Sequence, residues 1–127
     1  MIVFLLVCVA GGVGAALRFV VDGAVRQRLA STPLATFPVA TQVINVTGSF
    51  GLGLLTGLGA SSGLPHDWVL VLGGGLMGGY TTFSTASVEA VRLAGQRRFG
   101  AAVVYGVGTL VVATGAAALG VWMGGGF

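Results

Sequence analysis

Apolar residues in this chain come in four long runs separated by short polar connections, with neither the two-residue alternation of a strand nor the polar face of a surface helix. The runs cover about residues 2–21, 38–59, 67–93 and 99–123. About 20 apolar residues cross a hydrocarbon core of roughly 30 Å. The pattern predicts an all-α membrane protein, a single domain over 1–127 with four transmembrane helices. Residues 22–37 read as a polar connection that can hold a short helix, and 60–66 and 95–98 as short loops. Pro38 suits the first turn of the second helix, where its missing N–H costs nothing. The tail Gly124-Gly125-Gly126-Phe127 is expected to fray.

Polar and small residues interrupt these runs unevenly. The third contains Gly73-Gly74-Gly75-Leu76-Met77-Gly78-Gly79-Tyr80-Thr81-Thr82-Phe83-Ser84-Thr85. Each glycine costs a helix interior about 1 kcal/mol relative to Ala, so the stretch predicts a helix broken near its middle. A break at membrane depth frees carbonyls that lipid cannot satisfy, and such backbone persists where it binds an ion, lines a wet cavity or is buried in protein. In the second run Thr41, Asn45 and Ser49 share one face, with Gln42 close by. That stripe serves either interhelical hydrogen bonding or a pathway lining. Gly53-x-x-x-Gly57 is a packing pattern, and Gly11, Gly12, Gly14, Ala15 and Ala16 let a neighbour approach the first helix. Two readings of Arg18 stand, snorkelling to the headgroups or facing an anion vestibule. Glu89 and Arg92 have the spacing of a helical ion pair. Tyr105, Thr109 and Ala113 fall on one line of the fourth helix.

Composition agrees with the pattern. Of 127 residues, 55% are hydrophobic and 7% charged, against about 25% charged in soluble domains; the mean hydropathy is +1.00. All six basic residues are arginine and the net charge is +3. Arg26, Arg28, Arg92, Arg97 and Arg98 all flank loops one and three, which places those loops in the cytoplasm and both termini outside. The charge therefore reports topology and not nucleic-acid binding. Cys8, the one cysteine, reads as a buried packing thiol. His66 alone makes no transition-metal site. Hydroxyls with no His or carboxylate beside them are poor nucleophiles, which argues against an enzyme.

Three blocks resemble signatures of the Fluc (CrcB) fluoride channels of the cell membrane. They are Gly11-Gly12-Val13-Gly14-Ala15-Ala16-Leu17-Arg18-Phe19, Asn45-Val46-Thr47-Gly48-Ser49-Phe50, and Gly78-Gly79-Tyr80-Thr81-Thr82-Phe83-Ser84-Thr85 followed by Glu89. Tyr105 and Thr109 fit the family's fourth-helix polar line. The resemblance implies an antiparallel, dual-topology dimer in the bilayer that passively exports fluoride. It implies a structural sodium ion at the dimer centre, held by the backbone carbonyls of Gly78 and Thr81. It implies an anion pathway along Asn45, Phe83, Ser84, Thr85, Tyr105 and Thr109, with Arg18 and Glu89 in vestibule or structural roles. Oxygen ligands suit sodium. Amide and hydroxyl donors and the electropositive edge of a phenyl ring suit fluoride.

The chain departs from the family pattern at Ala86, where a second phenylalanine is usual, at Tyr80, where an apolar residue is usual, and at Gln42, where an aliphatic one is usual. Ala86 and the one-sided arginines together suggest one half of a heterodimer whose homologous partner has the opposite orientation; homodimer and heterodimer both stand. A non-conducting subunit is a further reading. A small multidrug antiporter is the remaining one, and it is disfavoured because Asp22, Asp67 and Glu89 all lie near span ends.

Overall fold

A computed structural model of the chain describes residues 1–125. Every element in it is helical. α1 is Ile2–Leu29 and α2 is Val39–Ser61, joined through a 3-10 turn at Pro33–Thr36. A third helical run, α3, begins as an α-turn at His66–Val69, widens into a π-helical stretch at Leu70–Met77 and closes with a turn at Gly78–Tyr80. α4 is Phe83–Gly95 and α5 is Phe99–Met123. Three helices, α1, α2 and α5, are long and apolar enough to cross a membrane.

The boundaries differ from the sequence expectation in two instructive places. α1 continues to Leu29, so Asp22 and Arg26 lie on a helix, one turn apart, and not in a loop. The glycines Gly73–Gly75 do not break α3. They are accommodated in its π-helical stretch, and regular helix ends only after Tyr80. Thr81 (φ −80°, ψ 162°) and Thr82 (φ −150°, ψ 118°) are extended. Pro38 precedes the first turn of α2, close to its expected place, and Pro33 opens the 3-10 turn.

Small residues set how closely the helices approach. α2 lies along α5, and α1 lies against α3. A Cβ on Gly53 would strike the Ala117 carbonyl oxygen, and one on Gly120 would strike the Phe50 carbonyl oxygen. Gly57 packs in the same way against Val121, so the Gly53/Gly57 pattern is a true contact seam. On the other side, Gly14 meets the backbone of Leu76 and Tyr80, and Gly79 meets that of Gly11. Gly124 is seated against Leu54 and Leu58 and accepts a hydrogen bond from Ser61 Oγ. Gly124 is therefore packed and hydrogen-bonded where fraying was expected, and Gly126 and Phe127 lie outside the described residues.

Few side chains are fully enclosed. Tyr105, Ile44 and Thr41 are the largest, with Ala40, Val71 and Leu93 also buried. Phe4, Phe19, Val104, Val107 and Leu110 point outward, as expected where the solvent is lipid and apolar exposure carries no penalty. Cys8 is exposed on α1; the expectation of a buried thiol fails because the small residues of that helix, not Cys8, face α3.

This seam predicts a contrast between glycines. Gly120→Ala should destabilise the protein by about 1–3 kcal/mol through overpacking. Gly115→Ala, where nothing lies within 4 Å, should be neutral or stabilise it by up to about 1 kcal/mol. Thermal unfolding in detergent reads both.

Candidate functional site

The two extended residues after α3 are the structural centre of the polar residues. Extending the chain at Thr81–Thr82 removes helical partners from their backbone groups, and Asn45 on α2 supplies replacements. Its Nδ2 donates to the Thr82 carbonyl at 2.9 Å, and its Oδ1 accepts from the Thr82 N–H at 2.8 Å. One amide side chain thus satisfies both backbone groups of a residue 37 positions away. The Thr82 hydroxyl caps α4 by accepting from the Thr85 N–H at 3.3 Å and donates to Thr85 Oγ1 at 3.0 Å. Ser84 Oγ lies 3.3 Å from the same hydroxyl. Thr81 is anchored backwards, its N–H and hydroxyl both donating to the Met77 carbonyl at 2.9 and 3.0 Å.

The freed carbonyls have separate fates. A continuing helix would give the Thr82 N–H to the Gly78 carbonyl; here Asn45 takes that N–H, so the Gly78 oxygen loses its helical donor. Gly78 is exposed, with open space where a Cβ would be. The Thr81 carbonyl accepts from Arg18 Nη1 at 3.2 Å. Arg18 thus turns inward, and the snorkelling reading gives way. Among the described residues no cluster of three or more His, Cys, Asp or Glu could hold a metal. A hard cation here would rest on backbone oxygens, and Gly78 and Thr81 fit that role in chemistry, the second sharing its oxygen with a guanidinium.

Two cavities flank this centre. The larger, about 580 Å³, is an open and mostly apolar groove on the outer face of the chain. Asn45, Ser49, Gly78, Thr81, Phe83, Ala86, Tyr105 and Thr109 line it. Phe83 is 87% exposed, so its ring stands in the groove almost unpacked by the described residues. The second cavity, about 410 Å³, is lined by Arg18, Asp22, Arg26, Thr41, Thr82 and Thr85. Thr82 borders both. Of the sequence candidates, Asn45, Gly78, Thr81, Phe83, Tyr105 and Thr109 therefore share the groove, Arg18 and Thr85 share the second cavity, and Ser84 lines neither. Glu89 lies behind the groove wall, its Oε2 accepting from the Tyr105 hydroxyl at 2.8 Å.

Several donors are already committed. Thr109 Oγ1 donates to the Tyr105 carbonyl at 2.6 Å, and the Tyr105 proton goes to Glu89. Asn45 retains one N–H. Glu89 pairs with Arg26, at 3.1 Å, and not with Arg92. Arg26 also holds Asp22 at 2.7 Å. Arg26 looked from the sequence like a topological charge only; its i,i+4 spacing to Asp22 was visible, but its reach to Glu89 is a tertiary fact. Thr82 was one hydroxyl among five, and nothing local marked it as the capping, doubly held residue.

A family model described as "CrcB-like protein, Camphor Resistance (CrcB)" matches residues 5–121. The chain belongs to the CrcB family. Among its curated relatives, "Fluoride-specific ion channel FluC 1" of Leifsonia xyli subsp. xyli is 56% identical over 124 residues, covering 98% of this chain and 88% of that protein. "Fluoride-specific ion channel FluC 2" of Mycobacterium tuberculosis is 43% identical over 113 residues, 89% of this chain and 83% of the relative. A Bacillus cereus protein of that name is 39% identical over 125 residues, 98% and 99% of the two chains. The three motif blocks, with Tyr105 and Thr109 of the fourth run, thus pointed to the family to which this CrcB chain belongs.

The Asn45 geometry makes a direct prediction. Asn45→Ala leaves the N–H and carbonyl of Thr82 without partners, at a cost of about 1–3 kcal/mol for each buried group. Hydrogen exchange should show the Thr82 amide losing protection while amides in the α2–α5 seam keep theirs.

Proposed function

We propose that this chain is a subunit of a fluoride-selective channel through which F⁻ leaves the cell passively. The observation that carries the reading is the open groove in a chain of the CrcB family. It sets an unpartnered phenyl ring, Phe83, beside Asn45, Tyr105 and Thr109, and related proteins bear the name fluoride-specific ion channel. Fluoride is small and strongly hydrated, so its path must replace water with amide N–H and hydroxyl groups and with the positive edges of aromatic rings. The residual N–H of Asn45 and the edge of Phe83 are suited to that. Ser84 and Thr85, grouped around the Thr82 hydroxyl, offer further hydroxyls on the side of the second cavity, where Arg18 adds positive charge.

On this reading α3 and α4 together make one membrane crossing, interrupted at Thr81–Thr82, and the chain has four crossings. Loops one and three, with their arginines, face the cytoplasm, and both termini lie outside. A groove open on one face is half a pathway. A second subunit of opposite orientation closes it and brings a second pair of Gly78 and Thr81 carbonyls to the first. Four backbone oxygens then hold a structural sodium ion at the dimer centre, consistent with a hard cation's preference for oxygen and with the way broken helices present carbonyls at the midplane.

Ala86 favours a second reading of the partner. It lines the groove where another phenyl would narrow it, and the arginines are one-sided. A homologous subunit of opposite fixed orientation would complete such a half. Proton-coupled drug export is disfavoured because the acids Asp22, Asp67 and Glu89 all lie near span ends and the Glu89 carboxylate is already engaged by Arg26 and Tyr105.

Proteoliposomes containing the purified chain, read with fluoride and chloride electrodes, should release fluoride and retain chloride with no dependence on a proton gradient. Phe83→Ala should slow release about tenfold or more, the scale of one lost transition-state contact. Silence of the chain alone with recovery on adding a homologous subunit identifies the heterodimer. Equal release of both anions, or silence in both assemblies, contradicts the channel.

A further inference from the structure

Glu89 is the only buried charged side chain among the described residues. Its carboxylate lies one side chain behind the groove, because its Oε2 holds the hydroxyl of Tyr105, a fully buried residue of the groove wall. The Tyr105 ring is further fixed edge-on by Phe37, with centroids 5.7 Å apart at 89°. A carboxylate so placed orients Tyr105 well. It also projects negative charge, through a medium of low dielectric, into the groove that an anion would occupy, where the repulsion is weakly screened.

Arg26 answers this charge. From the cytoplasmic end of α1 its Nη2 reaches Glu89 Oε1 at 3.1 Å, and its Nε is held by Asp22 Oδ2 at 2.7 Å, one helical turn earlier. Asp22 fixes the guanidinium on the helix surface so that its other nitrogen points at Glu89. The Asp22 pair alone would contribute little, being largely exposed. The Glu89 contact differs, since Glu89 is buried although Arg26 is half-exposed, and removing Arg26 leaves that buried carboxylate without its cation.

We propose that Arg26 is a positioning residue for anion passage: it compensates Glu89, so that Tyr105 is held in the groove wall without a negative field across the path. This rests on the reading of the groove as the fluoride path and adds to it a residue of α1 that lines only the second cavity and a smaller neighbouring one.

The test is fluoride release from liposomes carrying the protein in its conducting assembly, measured over a range of fluoride concentrations. Arg26→Gln should raise the half-saturating concentration about tenfold, the scale of one uncompensated unit charge acting across a side chain at an effective dielectric constant of about 20. The double variant Arg26→Gln/Glu89→Gln removes the stranded charge and should return that concentration to within about threefold of the unaltered protein. A role in folding alone would lower the maximal rate, through fewer active channels, and leave half-saturation unchanged; that result overturns the proposal. So does a double variant no better than Arg26→Gln. Silence of the unaltered protein in every assembly overturns the reading of the groove and this inference with it. An unaltered protein that conducts beside an Arg26→Gln variant with the same half-saturation overturns the inference alone.

Discussion

The reciprocal hydrogen bonds between Asn45 and Thr82 are the interaction on which the rest of the arrangement depends. Lipid offers no partner to a freed amide or carbonyl, so a chain that leaves helical geometry at Thr81–Thr82 needs a substitute for each lost bond. One primary amide supplies both, with its donor and acceptor at 2.9 and 2.8 Å. Thr82 then caps α4 through its hydroxyl, and Thr81 is tied back to Met77. Because Asn45 occupies the Thr82 N–H, the Gly78 carbonyl is released; because α1 brings Arg18 alongside, the Thr81 carbonyl receives a cationic donor. A single tertiary contact thus accounts for the interruption, the new helix start and the exposed backbone oxygens.

The close helix packing serves that contact. Asn45 can reach Thr82 only if α2, α1 and α3 approach at backbone distance, and the glycines at positions 14, 48 and 79 remove the side chains that would keep them apart. At Gly48 a Cβ would run into the Thr81 side chain, one helical turn from Asn45. The glycine abundance of this chain is therefore spent less on loops than on seams. The outer faces are mostly apolar, and most polar side chains of the membrane helices turn toward the groove, the second cavity or the backbone.

Much of this was legible in the sequence. The apolar runs gave the helices, and the stripe of Thr41, Asn45 and Ser49 gave the face of α2 that matters. The motif blocks led to the right family. What was not legible is tertiary. The break was expected at Gly78–Thr81, and the extended residues are Thr81 and Thr82 while Gly73–Gly75 stay helical, because helix propensity is overridden where a side chain such as Asn45 rewards leaving the helix. Glu89 and Arg92 have ion-pair spacing, but a local pair cannot compete with Arg26, which α1 delivers to Glu89 at 3.1 Å by continuing past residue 21. Cys8 sat in an apolar run, and in lipid such a run says nothing about which face is enclosed.

On the proposed reading, the Thr81–Thr82 interruption, held by Asn45, makes the groove a fluoride path and is not only a packing feature. That reading is tested most directly by fluoride release from liposomes with Asn45→Ala in the conducting assembly, alongside the helix content of the same preparation. Release should be slowed by at least about tenfold with helix content retained. Release at the unaltered rate from a protein whose Thr82 amide has lost its protection would contradict it.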